Sequence, residues 1–215
     1  MTAVPPTSLT TAIAAVAEID PALAGLIEKV GPIQYRPRDP DGHFGALVRT
    51  IVFQQLAGAA ANAIHKRVRA LVDGPLEPAA LLALPDEALR GAGLSAAKLA
   101  SLRDLSMKVL DGTVILADSS RLSDDEVVSR LVTVRGIGPW SAEMYLMFEL
   151  RRPDVWPADD LGVRQGYGLI WSLAPPPTAR ELKPLGDRFR PYRSVVARYC
   201  WEAVHLARRA DPALR

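Results

Sequence analysis

Leu131-Val132-Thr133-Val134-Arg135-Gly136-Ile137-Gly138-Pro139-Trp140-Ser141-Ala142 joins two helical patterns through Gly-Ile-Gly. Upstream, Ser123 and Glu126 have the spacing of a capping box and predict a helix through Leu131 or Val132. Downstream, Pro139 predicts a helix start, because its missing N–H costs little in a first turn. That second pattern runs to about Leu150. The glycines permit positive φ and close backbone approach. The first N–H groups of the second helix lack intrahelical partners and point outward as an anion site. A bare Gly-x-Gly between helices reads first as a simple connection, with Ile137 filling the core. Val134 before the first glycine, Ala142 after the second and Trp140 between add a pattern such a connection does not need.

The chain around this turn also reads as helices. Ser8 predicts a cap for a first helix ending at Asp20, and Pro21 opens a second that stops before Gly31. Phe44, Leu47, Val48, Ile51 and Val52 form a helical stripe, with a break at Gln54-Gln55-Leu56-Ala57-Gly58 and a further helix to Val72. Short helices are predicted at 79–83 and 86–90, then a longer one from Ser95 to about Leu110. After the hairpin come helices from Asp160 to Trp171, from Thr178 with Glu181 as cap, and from Pro191 to about Arg209. No strand pattern of any length occurs, so the fold class is all-α.

Composition excludes several classes. Hydrophobic residues are 49% of 215, which argues against disorder. No apolar run reaches the length of a membrane span. The first twenty residues lack a secretion pattern, so a cytoplasmic protein is expected. A single cysteine, Cys200, makes no internal disulfide and no four-cysteine iron–sulfur cluster. His43, His65 and His205 are scattered, so no catalytic transition metal is expected. Residues 1–130 carry 13 basic and 15 acidic side chains (−2), and residues 131–215 carry 13 and 9 (+4). The basic residues of the second stretch are nearly all arginine, suited to phosphate.

The hairpin pattern resembles the helix-hairpin-helix motif of the HhH-GPD base-excision DNA glycosylases. That resemblance implies phosphate contacts from the Gly136, Gly138 and Ser141 amides, with Arg135 alongside, and a sodium or potassium ion on the carbonyls of Val132, Val134 and Ile137. No cofactor is implied for catalysis. Members place an aspartate after the hairpin, with an aliphatic residue three positions on. In Trp156-Pro157-Ala158-Asp159-Asp160-Leu161-Gly162-Val163, Val163 selects Asp160 over Asp159 as the catalytic carboxylate. Either aspartate could instead simply cap the following helix; the two roles are compatible, since a helix N-terminus favours an anion. Bifunctional members carry a lysine two residues after the second hairpin glycine, as a Schiff-base nucleophile. Trp140 stands there, which implies a monofunctional enzyme without lyase activity.

Trp140 is also what the 3-methyladenine branch carries. Ile51-Val52-Phe53-Gln54-Gln55-Leu56 and Pro191-Tyr192-Arg193-Ser194 with Ala197 and Trp201 resemble further segments of that branch. The implied substrate is double-stranded DNA bearing alkylated bases, acted on by a monomer. A flipped cationic base needs an aromatic pocket. Candidates are Trp201 and Trp140, which the resemblance favours, then Tyr145, Phe53 and Tyr199; Met144 stands where some relatives have tyrosine. Gln55 aligns best with the wedge that fills the vacated stack, with Leu56 and Gln54 beside it. Arg193 either orders the last helix or touches phosphate. The resemblance implies a two-lobed helical fold with the active site in the cleft: residues 1–42 contributing to the second lobe, 43–165 as the hairpin-containing domain, and 166–215 packing with the N-terminal segment. The better-known bacterial members carry an added N-terminal α/β domain, and the resemblance does not extend to one here. Two alternatives stay open: a glycosylase for deaminated or mismatched bases, and a non-catalytic DNA-binding module.

Overall fold

A computed structural model describes residues 8–117 and 119–211. Among them are twelve α-helices and no strand: α1 (Leu9–Ile19), α2 (Pro21–Val30), α3 (Gly42–Phe53), α4 (Gly58–Ala70), α5 (Pro78–Ala83), α6 (Asp86–Gly91), α7 (Ala96–Leu110), α8 (Asp124–Leu131), α9 (Pro139–Met144), α10 (Leu161–Ile170), α11 (Ala179–Leu185) and α12 (Arg193–Ala210). The chain divides into two units, one of Met1–Arg36 with Arg151–Arg215 and one of Pro37–Leu150.

Side-chain caps start six of the twelve helices. Ser8 accepts from the Thr11 amide, Ser95 from Lys98 and Ser123 from Glu126, the last a complete capping box. Asp20 caps α2 through Oδ1, which accepts the Ala22 and Leu23 amides at 2.9 and 3.2 Å. Its Oδ2 takes the Trp171 indole N–H at 2.9 Å and faces Arg188 at 3.0 Å. Burial alone would raise this carboxyl; those donors and the Arg188 charge outweigh it and hold it below the usual aspartate value.

Two boundaries differ from the sequence reading. The pattern after Pro139 is not one uniform helix. Residues Tyr145–Glu149 form a π turn, closed by the Leu150 amide on the Tyr145 carbonyl at 3.1 Å. Such turns add one residue to a helix and are common at functional sites. The last helix begins at Arg193 rather than Pro191. Its first amides are taken by the preceding loop: Ser194 N–H reaches the Pro153 carbonyl at 3.0 Å and Arg193 N–H reaches Asp154 Oδ1 at 3.4 Å. The same loop explains why the second unit ends at Leu150 and not at 165. Residues 151–160 are tied to α12, so they belong with the first unit.

In the first unit α10 and α12 form the central pair. Val195, Val196, Tyr199, Cys200, Ala203 and Val204 make the buried stripe of α12. In the second unit Leu47, Val48, Ile51 and Val52 of α3 pack with Leu102 and Leu105 of α7 in the core. Val134 and Ile137 are buried in the hairpin, so Ile137 does fill the core there.

Candidate functional site

Asp160 is the N-cap of α10, with extended backbone at φ −69° and ψ 124°. Its Oδ1 accepts the Val163 amide at 2.7 Å and the Trp201 indole N–H at 2.9 Å. One oxygen therefore both starts the helix and fixes a tryptophan of α12. This pairing depends on two glycines one turn apart on α10. A methyl group on Gly166 would lie 1.9 Å from the Cys200 carbonyl oxygen, and one on Gly162 would lie 2.8 Å from Trp201 Cδ1. Both positions face α12, so bare backbone lets the helices close and brings the indole to the carboxylate. Cys200 is fully buried; burial raises its thiol far above the ordinary value, and the Asp160 charge adds to this. The thiol is an inert packing group.

The Pro191-Tyr192-Arg193-Ser194 segment has a structural task. Arg193 holds Asp154 with Nε at 2.8 Å and Nη2 at 3.0 Å, a bidentate pair, and Nη2 also reaches the Asp154 carbonyl at 2.9 Å. Ser194 Oγ accepts the Val155 amide at 2.8 Å and donates to the Arg152 carbonyl at 2.7 Å. The segment thus fixes the loop that delivers Asp160. Arg193 orders the last helix and its neighbouring loop.

In the second unit the hairpin turns at Gly136, whose φ of 78° lies in the left-handed region. A Cβ there would also lie 2.6 Å from Ser101 Oγ. Gly138 is extended (φ −95°, ψ 175°) and caps α9, with open space where a Cβ would be. Three side chains hold the turn. Asp104 Oδ2 accepts the Arg135 amide at 2.6 Å and Lys108 Nζ at 2.9 Å. Lys108 donates in turn to the Thr133 carbonyl. Burial would raise the Asp104 carboxyl, but these donors prevail and hold it low. From the opposite side, Gln54 Nε2 donates to the Gly136 carbonyl at 2.9 Å, with Ser141 Oγ at 3.4 Å. Lys98 caps α3 just before this turn, its ammonium 2.6 Å from the Val52 carbonyl.

The wedge candidates therefore separate. Gln54 is committed to the hairpin, whereas Gln55 and Leu56 are exposed at the α3–α4 turn. Gln55 sits at φ 55°, uncommon for a non-glycine residue. The aromatic candidates separate too. Trp201 is half-buried on Asp160, and Trp140 is 46% exposed on the first turn of α9. Tyr145 is 2% exposed, lies edge-on to His43, and has its phenol pushed up to about 12 by burial. Phe53 lies under the Arg49 guanidinium, 4.1 Å from its ring centre, and beside His65. Tyr199 is buried, with its hydroxyl on the Gly31 carbonyl at 3.2 Å. Tyr145, Phe53 and Tyr199 thus pack within their own units, while Met144 is half-buried at the end of α9.

A carboxylate set beside an indole, and a separate glycine hairpin pinned from two sides, match an established family. The sequence profile of the HhH-GPD superfamily base excision DNA repair proteins fits residues 48–191. The chain belongs to that superfamily. It is 33% identical over 212 residues to DNA-3-methyladenine glycosylase 1 of Schizosaccharomyces pombe, covering 96% of this chain and 92% of that protein. Its fold superposes on the structure of the S. pombe 3-methyladenine DNA glycosylase in complex with abasic DNA with a TM-score of 0.80 and 32% identity, covering 92% of this chain and 98% of the other. A DNA-3-methyladenine glycosidase from Bacillus halodurans gives a TM-score of 0.80 at 34% identity, covering 92% and 89%. The all-helical HhH-GPD fold expected from the sequence is the fold of this chain.

In this chain, Asp104, Lys108, Asp154, Gly162 and Gly166 are supporting residues that the sequence pattern did not single out. The Asp104–Lys108 spacing of one helical turn was a visible signal. The two glycines of α10 carried none until α12 was placed against them.

Proposed function

We propose that this chain is a monofunctional DNA glycosylase of base excision repair that hydrolyses the N-glycosidic bond of alkylated bases of the 3-methyladenine type. The observation that carries the reading is Asp160, held by Val163 and by Trp201 in a chain nearly coextensive with a 3-methyladenine glycosylase. An alkylated purine is cationic. When its bond to C1′ breaks, the base leaves with the electron pair and the sugar becomes an oxocarbenium ion. The Asp160 carboxylate stabilises that cation and orients the water that adds to C1′, and it or solvent takes the released proton. Trp201 and Trp140 are the indoles we assign to the flipped base, whose positive charge favours a π face by about 0.5–2 kcal/mol. Gln55, with Leu56 beside it, is the wedge.

The partner is DNA, bound by a monomer in the cytoplasm. The hairpin amides of Gly136, Gly138 and Ser141 take backbone phosphate, and Arg135 assists. Such contacts place the enzyme without reading sequence. The reaction as proposed uses no cofactor beyond water. For a sodium or potassium ion, the ligands we assign are backbone carbonyls of the hairpin, whose left-handed turn at Gly136 folds the Ile137 amide back to the Val134 carbonyl at 3.0 Å. The carbonyls of Val132, Val134 and Ile137 are neutral oxygen ligands of the kind that replace a monovalent ion's hydration shell. Among the described residues no His, Cys, Asp and Glu cluster has the makings of a metal site, and no helix is long and apolar enough to cross a membrane.

The testing experiment is release of methylated bases from alkylated duplex DNA, run beside borohydride trapping. Free 3-methyladenine and no covalent adduct are expected. A robust trapped adduct, or no base released, contradicts the proposal. If the hairpin grips DNA, its clamp matters as well. Asp104→Ala leaves the Arg135 amide and Lys108 without their acceptor. It should cost about 1–2 kcal/mol of stability and weaken duplex binding. Unchanged duplex affinity in a folded variant would show that Asp104 does not position the turn.

A further inference from the structure

Away from Asp160, the first unit gathers positive charge around one ring. Tyr35 lies half-buried in the segment after α2. The Arg151 guanidinium stands 4.8 Å from its ring centre and that of Arg198 stands 4.9 Å away. Arg151 Nη2 donates to the Arg36 carbonyl at 3.1 Å, and Arg198 Nη2 to the Gln34 carbonyl at 2.7 Å. These bonds fix both heads on residues 34–36, beside the exposed Arg36.

Among the described residues, no carboxylate forms an ion pair within 4.0 Å of Arg36, Arg151 or Arg198. Glu202, one turn along α12, attracts Arg198 but lies against His205 at 3.6 Å. Arg151 Nε and Arg198 Nη1 are buried and donate to no atom. Shielded donors are nearly always partnered, so each such exception calls for an explanation. Arg151 is also held at φ 55°, a backbone state that concentrates at ligand clamps. Burial lowers the Arg198 guanidinium from its ordinary value, as expected for a cation without a counter-ion.

Like charges gathered without a counter-anion are what an oxyanion site requires, and the guanidinium fork matches phosphate geometry. We propose that Arg151 and Arg198, set over Tyr35, together with the neighbouring Arg36, bind a phosphate group, supplied by a DNA phosphodiester. The naming of DNA as the source rests on the glycosylase reading; the oxyanion site itself does not.

The test follows the arginine Nε–Hε resonances of the whole protein in phosphate-free buffer. It is titrated separately with inorganic phosphate and with an undamaged duplex. In parallel, the slope of log Kd against log salt is measured for the parent, Arg36→Gln and Arg198→Gln. The duplex should move the Arg151 and Arg198 resonances, and each variant should lose up to about 0.9 of the slope, the value of one phosphate contact. Movement with inorganic phosphate but not with duplex keeps the site and assigns it to a free phosphate-bearing ligand. Unmoved resonances in both titrations with unchanged slopes overturn it. Arg36 is exposed, so Arg36→Gln carries the slope measurement if Arg198→Gln does not fold. Unmoved resonances together with unchanged slopes, in a protein that releases methylated bases, sink this site alone. A lowered slope in a protein that releases none sinks the glycosylase reading alone.

Discussion

Asp160→Asn should release alkylated bases about 10²–10³-fold more slowly than the parent, with duplex binding retained. Asparagine presents its carbonyl oxygen to the same two donors, the Val163 amide and the Trp201 indole. The N-cap and the position of α12 therefore survive while the negative charge is lost. That isolates electrostatics from architecture. Single-turnover release with saturating enzyme reads the chemical step, and fluorescence anisotropy reads binding. A rate within about threefold of the parent would remove Asp160 from the reaction, since loss of a partner for a full positive charge costs far more than that.

Gly166→Ala should be the most damaging single methyl group in the first unit. The added carbon would lie 1.9 Å from the Cys200 carbonyl oxygen and 2.6 Å from its Cα. Those are backbone atoms of a helix, so no rotamer change relieves the overlap and α10 must move off α12. Overpacking of this kind costs about 1–3 kcal/mol, and a backbone collision belongs at or above the upper end. For a chain of this size, about 3 kcal/mol lowers the midpoint by roughly 6–12 °C. Because the same helix pair sets Asp160 against Trp201, base release should fall too, even below the new midpoint. Scanning calorimetry and the release assay check the two parts. An unshifted midpoint would mean that the helices do not cross at Gly166.

What could be read without the structure was whatever local chemistry fixes. The Ser123–Glu126 box, the Pro139 start, the break at Gln54–Gly58 and the Gly-Ile-Gly turn each depend on residues a few positions apart. The π turn at Tyr145–Glu149 escaped because one inserted residue hardly disturbs an apolar pattern this short. The division after Leu150 escaped because it follows from Arg193 and Ser194 gripping a loop some forty positions earlier in the chain. Aromatic composition named pocket candidates but could not tell half-buried Trp201 from Tyr145 and Phe53, whose partners His43, Arg49 and His65 come from other turns or other helices. Gln54 shows the same limit. Its place beside Gln55 suggested a wedge, and its amide instead pins a carbonyl 82 residues away.

The central claim is that one fixed carboxylate faces a developing sugar cation. It is tested most directly by two abasic-site analogues in otherwise identical duplexes, a cationic pyrrolidine and a neutral tetrahydrofuran. Mimics of a transition state bind more tightly than the substrate, by about 10² or more, and the pyrrolidine carries the charge that the tetrahydrofuran lacks. The parent protein should show that preference, and Asp160→Asn should erase it. Equal affinity of the parent for both duplexes, or a preference that survives the substitution, would contradict the account.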